Sequence, residues 1–376
     1  MNLSFWERET YFEKIDIAII GAGIVGLSAA IELKEKFPLK NITVFERGFL
    51  PTGASTKNAG FACFGSASEI LKDLDQYTED EVYSLIELRW KGLLKLKKRL
   101  GEQRIDYQNS GGYEVFNDSH SYEKCADFLP KINENLKGII GATIYNDRSS
   151  YIKDFGFNGV NHLIFNQYEG VLNAGKMMKA LTELALKKGV EVLNGIEISK
   201  IENDDFKVKI SVSDNFSFFA KKVLIANNAF ANQFLPELQV KPGRGQVIIT
   251  KPIENLKIKG AFHLEEGYYY FRNIGDRLLL GGGRNLDFKT EETTEFGTTD
   301  LVMNKLNALL EDFILPNTPY EIDYAWSGIM AFGAQQKPNI KQISDSIYCA
   351  VKCQGMGVAL GSIEGEMAAH LIAESI

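Results

Sequence analysis

The stretch Asp16–Ile20 is apolar after its first residue, and Asn41–Glu46 repeats the pattern, so both read as strands buried on both faces. Between them apolar residues recur at helical spacing from Gly23 to about Lys36, and Pro38 closes that helix. Residues 1–15 read as an amphipathic leader, and residues 50–66, rich in Gly, Ser, Ala and Asn without a period, as a loop. Residues 79–101 predict a long charged helix, whereas 102–170 show only short strands and turns. Ala174–Lys188 is an amphipathic helix with Gly189 as its cap. Three or four strands follow, VEVLNGIEISKIE, FKVKISVS, FSFFA and KKVLIAN, with Asp214-Asn215 as a turn. Alternating strands fill 240–285, a helix 299–315, strands and loops 322–354, and a helix runs from Gly355 onward. No Pro/Gly/Ser linker or internal repeat divides the chain, so its lobes are expected to interleave.

Composition narrows the class. A chain of 376 residues suits two domains, or one large domain with an inserted lobe. Hydrophobic residues at 45% and charged residues at 24% are globular values. A net charge of −7 argues against a general nucleic-acid binder, whose affinity comes from neutralising phosphates. Cys63, Cys125, Cys349 and Cys353 form no C-x-x-C pair, and the four histidines show no ligand spacing, so neither disulfides nor a metal is expected. A reducing, cytoplasmic setting fits. The most apolar stretch, Ile17–Ile31, is shorter than a bilayer requires, and Glu7, Glu9 and Glu13 precede it in place of a basic n-region. No transmembrane segment or export signal is expected. The 34 glycines against 9 prolines are clustered, which suggests close approach of backbone to a ligand.

The first cluster carries chemistry. Gly21-Ala22-Gly23-Ile24-Val25-Gly26 is G-x-G-x-x-G between a buried strand and a helix, the context that the dinucleotide fingerprint needs. Gly21 permits the turn, Gly23 lets a pyrophosphate approach, and Gly26 lets the helix pack on the sheet. Free N–H groups and the positive dipole end of the helix face the phosphates. Glu46 closes the second strand, where a carboxylate accepts from ribose hydroxyls and repels a 2′-phosphate, so NADP is disfavoured. FAD and NAD share this fingerprint. After Arg47-Gly48, the small-residue stretch Gly53–Gly60 stands where a plain NAD enzyme would carry another helix and strand. It either runs along a long extended cofactor or is a surface loop.

With these residues in view, the chain resembles the D-amino-acid oxidase superfamily of FAD-dependent amine and amino-acid oxidoreductases. The similarity covers nearly the whole chain and rests on four segments. They are DIAIIGAGIVGLSAAIEL through Glu46-Arg47; GASTKNAGF, similar to the family's G-A-S-x-[RK]-N-[AG]-G loop; Gly170–Ile201 with KKVLIANNAF; and Tyr324–Ile340 with Ile347 onward. The γ-glutamylputrescine oxidase-like branch is similar to it in W-S-G and RLLLGGG. The resemblance implies an α/β fold: a Rossmann-type FAD-binding domain with an interleaved α+β substrate domain on a mixed or antiparallel sheet. The expected division is 1–75, 155–235 and 322–376 for FAD, and 76–154 with 236–321 for substrate.

It also implies roles. Gly21, Ala22, Gly23, Ile24, Val25 and Gly26 would hold the pyrophosphate of FAD, and Glu46 the adenosine ribose, with Arg47 nearby. Gly53, Ala54, Ser55, Lys57, Asn58, Ala59 and Gly60 would pass the pyrophosphate and the isoalloxazine ring. Ile198 would meet adenine, and Ala226-Asn227-Asn228-Ala229 replaces the family's A-x-G-A turn, with asparagine suited to left-handed backbone. Trp326 and Gly328 would lie near the flavin, and Gln354, Gly355, Met356, Gly357, Val358 and Ala359 by its pyrimidine at the start of the last helix. Reaction would proceed by hydride transfer from the amine carbon to flavin N5, giving an imine that hydrolyses. Lys57, Tyr270, Arg272 and Trp326 are the pocket candidates. Alternation sets Tyr269 opposite Tyr268 and Tyr270, and Arg244 or Arg284 could also meet a remote carboxylate.

Departures from the family pattern refine this. Gly328-Ile329-Met330-Ala331 lacks the arginine that clamps α-amino acids, so the substrate's carboxylate, if any, should be remote from the reacting carbon. Ala359 and Met356 replace a lysine and a histidine, and Leu279 replaces the lysine linked to oxygen activation, which favours dehydrogenase behaviour. The acceptor is then oxygen or another electron carrier. No cysteine lies in Gly328–Phe332, so non-covalent FAD is expected. The alternatives are a 2-hydroxy-acid dehydrogenase, a tRNA-modification oxidoreductase of the same fold, and a non-catalytic flavin-binding module. The pI of about 5.4 weighs against the tRNA reading.

Overall fold

The computed structural model describes residues 3–204 and 207–376. Phe206, the first residue of the expected strand FKVKISVS, and the first two residues of the leader lie outside the described residues.

Among the described residues, two eight-stranded sheets organise the chain. In the first, the parallel order is Ile347–Val351, Phe216–Ile225, Ile15–Ile20, Ile42–Glu46, Glu191–Asn194. Asn339–Gln342 pairs antiparallel at one edge, and the ribbon Lys200–Asp204 with Lys207–Ser213 branches from Phe216–Ile225. Both faces of its central strands are covered, which is why Ile17–Ile20 and Ile42–Phe45 are continuously apolar. One face packs under the helices Ile24–Lys36, Glu79–Leu100, Ala174–Lys187 and Gly357–Ala373. The other face packs on an aromatic cluster of Phe12, Phe45, Phe216 and Phe218. The last helix lies almost backbone-to-backbone on the first. A Cβ at Gly365 would stand 2.7 Å from Val25 O, so glycine permits this contact.

The second sheet runs Ile322–Phe332, Lys241–Thr250, Arg277–Gly282, Tyr269–Ile274, Ala261–Leu264, Gly112–Phe116, His162–Asn166, Tyr145–Asp147. All its pairs are antiparallel except Gly112–Phe116 with Ala261–Leu264, so the sheet is mixed. One face buries Tyr113, Phe262, Phe271, Tyr269 and Leu280 under the helix Asp300–Ala308 and the π-turn that continues it. The other face turns toward the nucleotide-type turn of the first sheet.

Several elements differ from expectation. Strands His162–Asn166 and Ile322–Phe332, which fall within the segments expected for FAD, pair into the second sheet. FSFFA and KKVLIAN form one continuous strand, Phe216–Ile225. Residues 50–66 contain a helical turn, Ala54–Lys57, and a short strand, Phe61–Ala62. Within 102–170 the helix Ser119–Ile140 was unexpected. Pro130 lies inside it, although Tyr122, Cys125, Leu129, Ile132, Leu136 and Ile139 recur at helical spacing and pack on the core. The leader does form a short helix, Phe5–Tyr11, capped by Ser4. No helix among the described residues is long and apolar enough to cross a membrane.

One buried carboxylate has a consequence for stability. Glu364 is fully buried in the last helix, its Oε2 accepts from Cys353 Sγ at 3.4 Å, and its Oε1 has no partner among the described residues. Burial pushes its carboxyl up to about 7. A carboxyl raised in the folded state contributes most below its unfolded value, and that contribution is lost as pH rises through 7. Glu364→Gln is therefore expected to raise the melting temperature more at pH 8 than at pH 5, reflecting about 3 kcal/mol of relief. Equal shifts at both pH values would contradict the assignment.

Candidate cofactor and substrate cavity

A cavity of about 760 Å³ runs from the first sheet's carboxyl edge to the open face of the second. Its deep end is built by the turn after Ile15–Ile20. Gly21 has φ +110, and a Cβ there would stand 2.8 Å from Ala226 O. A Cβ at Gly26 would stand 2.0 Å from Gly21 O, so helix and turn touch through bare backbone. The helix Ile24–Lys36 starts at Gly23 with no side-chain cap of its own; Ser55 Oγ, from the loop opposite, accepts from Ile24 N–H at 3.0 Å. Glu46 accepts from Ala22 N–H at 3.2 Å and from Gly48 N–H at 3.0 Å, and its carboxylate borders the cavity. The helix Gly357–Ala373 brings a second N-terminus, without a side-chain cap, to the same space, after Gly355 at φ +80. Asn227 Oδ1, on the wall, is buried without a partner among the described residues. Asn228 takes the left-handed conformation at φ 51, so the A-N-N-A turn forms as expected.

The loop Gly53–Gly60 is a fixed wall. Asn58 Nδ2 donates to Ala54 O and Ser55 O at 3.2 and 2.7 Å, and its Oδ1 accepts from Gly60 N–H at 2.9 Å. Trp326 Nε1 donates to Lys57 O at 2.9 Å. Arg272 Nη1 donates to Ala59 O, Gly60 O and Leu172 O at 3.3, 2.8 and 2.9 Å. Burial without a carboxylate lowers this guanidinium to about 10.

Every residue expected at the cofactor lines the cavity except Ala22, Gly26, Gly60 and Trp326, which support the wall from behind. Among the pocket candidates, Lys57 and Tyr270 line it, and Arg272 and Trp326 do not. Spacing placed Arg272 on the face of Tyr270 correctly, but a long side chain on that face reached the loop carbonyls instead of the cavity. Arg244 is used in a buried ion pair with Glu291 at 2.8 Å.

The substrate half lies on the second sheet. Its register sets Glu114, His263, Tyr270, Gly281, Val247 and Trp326 side by side in one row across five neighbouring pairings. Directly paired residues share a face. Tyr270 therefore faces the cavity while Tyr269 is buried on the other side, as alternation required. Gly281 makes room: its Cβ would meet the Tyr270 ring at 2.6 Å. Burial pushes the Tyr270 phenol up to about 12. Arg284 borders the cavity with its guanidinium over Phe332 at 3.8 Å and beside Phe288 at 4.8 Å, and burial lowers it. Lys57 Nζ lies 5.1 Å from the Phe296 ring. His263, which sequence reasoning passed over, also lines the cavity and bonds Glu169 at 2.9 Å. Its only sequence signal was its alternation with Phe262, which has no meaning without the strand register.

Two helix N-termini, one of them without a side-chain cap, a carboxylate at the end of the second strand and an orphaned amide oxygen suit a dinucleotide with a diphosphate and a ribose. The comparisons agree. The model of the FAD dependent oxidoreductase family, DAO, matches residues 16–371. The γ-glutamylputrescine oxidoreductase of Escherichia coli is 26% identical over 379 residues, covering 95% of this chain and 83% of its own length. A probable oxidoreductase, OrdL, of Haemophilus influenzae is 22% identical over 371 residues, covering 96% and 84%. Glycine oxidase from Bacillus cereus superposes with a TM-score of 0.77 at 17% identity, covering 96% of this chain and 98% of that one. L-proline dehydrogenase from P. horikoshii gives 0.75 at 18% identity, covering 96% and 94%. Identities this low show the shared fold, while the family match spans nearly the whole chain: this protein belongs to the DAO family of FAD-dependent oxidoreductases.

Proposed function

We propose that the protein oxidises the C–N bond of an amine or amino acid to an imine, which water hydrolyses to a carbonyl compound and ammonia or an amine. The observation that carries this reading is the continuity of one cavity from the G-x-G-x-x-G turn to the Tyr270 face of the second sheet. FAD, when bound, supplies the hydride acceptor. The first sheet with its helices then serves as the FAD lobe and the second sheet as the substrate lobe. Gly21–Val25 and Ser55 would hold the diphosphate, Glu46 the ribose, and Gly355–Val358 the flavin pyrimidine. The helix N-terminus at Gly357 favours negative charge beside it. The apolar and aromatic wall of Phe61, Tyr270 and Met330 excludes water and disfavours the charged ammonium, so the reactive free amine is favoured.

Arg284 is the best-placed cation for a remote substrate carboxylate, because it borders the cavity and its stacking partners are neutral. Arg284→Gln is expected to lower kcat/KM for a carboxylate-bearing substrate roughly thirtyfold, about 2 kcal/mol, mainly through KM. A fall in kcat alone would remove the anchoring role.

FAD is held without a covalent bond in this reading. The cavity-lining thiols Cys63 and Cys353 are both pushed well above their usual range by burial, which suppresses the thiolate. Acid precipitation should release all the flavin to the supernatant; flavin retained in the pellet would contradict this. Buried Leu279 offers no charge toward oxygen, so reduced enzyme should reoxidise in air more slowly than substrate reduces it.

A further inference from the structure

The Glu169–His263 pair is not used by the cofactor site. His263 is 6% exposed and Glu169 is 1% exposed. Nε2 of the ring lies 2.9 Å from Glu169 Oε2. Nδ1 has no hydrogen-bond partner among the described residues, and the ring borders the cavity beside Phe61, whose centroid is 5.3 Å away, and next to its strand partner Tyr270. A carboxylate on one nitrogen fixes the tautomer and orientation of the ring and commits the other nitrogen to the cavity side. Burial opposes the charged ring, but Glu169, then Glu69 and Glu114, outweigh it and hold His263 at about 9. Neighbouring elements present few other titrating groups. Glu114, on the adjacent strand, is satisfied by Ser66 Oγ at 3.0 Å and Ser68 N–H at 3.1 Å, and burial raises it to about 6. Glu69 caps its own helix through Ser66 N–H at 2.8 Å. Cys63, Tyr145 and Tyr270 are all raised by burial.

We propose that His263, oriented by Glu169, is a substrate-anchoring residue that donates a charge-assisted hydrogen bond from Nδ1 to an anionic oxygen, a carboxylate, of the substrate. The proposal rests on the C–N oxidation reading and adds a second recognition point to Arg284, on a different strand. It narrows the substrate to amines that carry a carboxylate able to reach the Tyr270 row.

Acetate is the probe, because its own charge is constant above pH 6 and an amine's is not. Its binding to the holoenzyme is read from the flavin difference spectrum between pH 7 and 10.5. The dissociation constant should be flat up to about 9 and then rise tenfold per pH unit. His263→Gln should weaken acetate at least tenfold at pH 7.5 and remove the break. Glu169→Gln should move the break down by a unit or more, which a merely structural pair would not do. Arg284→Gln should leave the break in place. Histidine-selective 15N NMR reads the same proton directly, and saturating acetate should move its midpoint upward. Failure to bind acetate, a flat wild-type profile, or a break that survives in His263→Gln would overturn the proposal. These measurements need no turnover. Failure of every amine to reduce the flavin would instead overturn the reaction reading and leave the acetate result standing.

Discussion

Gly26→Val is expected to give a colourless and markedly destabilised protein. Even a first side-chain carbon at this position would stand 2.0 Å from the carbonyl oxygen of Gly21, and that oxygen belongs to backbone whose turn is held at φ +110. Backbone has no rotamer to yield, so the helix Ile24–Lys36 must lift from the strand. Overpacking of this kind costs about 1–3 kcal/mol in side-chain cores, and more when the neighbour is main chain. Lifting the helix also moves its N-terminal N–H groups away from the diphosphate. Lost cofactor removes its own stabilisation, about 4 kcal/mol for a ligand present at a thousandfold its dissociation constant. The checks are the flavin-to-protein ratio after purification and the melting temperature. A yellow protein melting with the wild type would mean that the close contact at Gly26 is not what shapes the turn.

Arg272→Met is the second large effect, and it separates two roles for one residue. Its guanidinium holds three carbonyl oxygens, from Ala59, Gly60 and Leu172, that would otherwise be left without this donor. Gly60 O keeps the Leu172 N–H at 2.8 Å, whereas Ala59 O and Leu172 O lose the donor, at about 1–3 kcal/mol for each acceptor left unsatisfied, partly offset because a buried charge is no longer required. A net loss of about 3 kcal/mol is expected, with flavin affinity falling at least tenfold because the Gly53–Gly60 wall loosens. Arg272→Lys should rescue little, since an ammonium lacks the planar fork. If Arg272 bound substrate instead, stability and flavin content would be unchanged and only KM would rise.

The two residues show what the sequence made legible and what it did not. Gly26 was readable because strand, glycine spacing, helix and acidic strand end are all local, and each supports the others. The facing of Tyr269 and Tyr270 was readable for the same reason, through alternation along one strand. Arg272 was placed on the right face, but its partners come from residues far away in the chain, so its role as a clamp was not accessible. His263 is a stronger case: its neighbours Glu114 and Tyr270 meet it only through sheet register, and Glu169 arrives from a turn between two short strands. The helix Ser119–Ile140 was missed because Pro130 reads as a helix breaker, although Tyr122, Cys125, Leu129, Ile132, Leu136 and Ile139 carry the helical period. That strands 162–166 and 322–332 join the second sheet was not legible, because pairing partners, not local pattern, decide sheet membership.

The central claim is that a carbon bonded to nitrogen delivers hydride to FAD held in this cavity. The most direct test is anaerobic addition of amines, amino acids and their 2-hydroxy analogues to the purified yellow protein, with flavin absorbance recorded. Bleaching by an amine or amino acid, and not by the analogue with oxygen in place of nitrogen, is the expected result. Bleaching by a 2-hydroxy acid alone, or by no compound of either class, would contradict it.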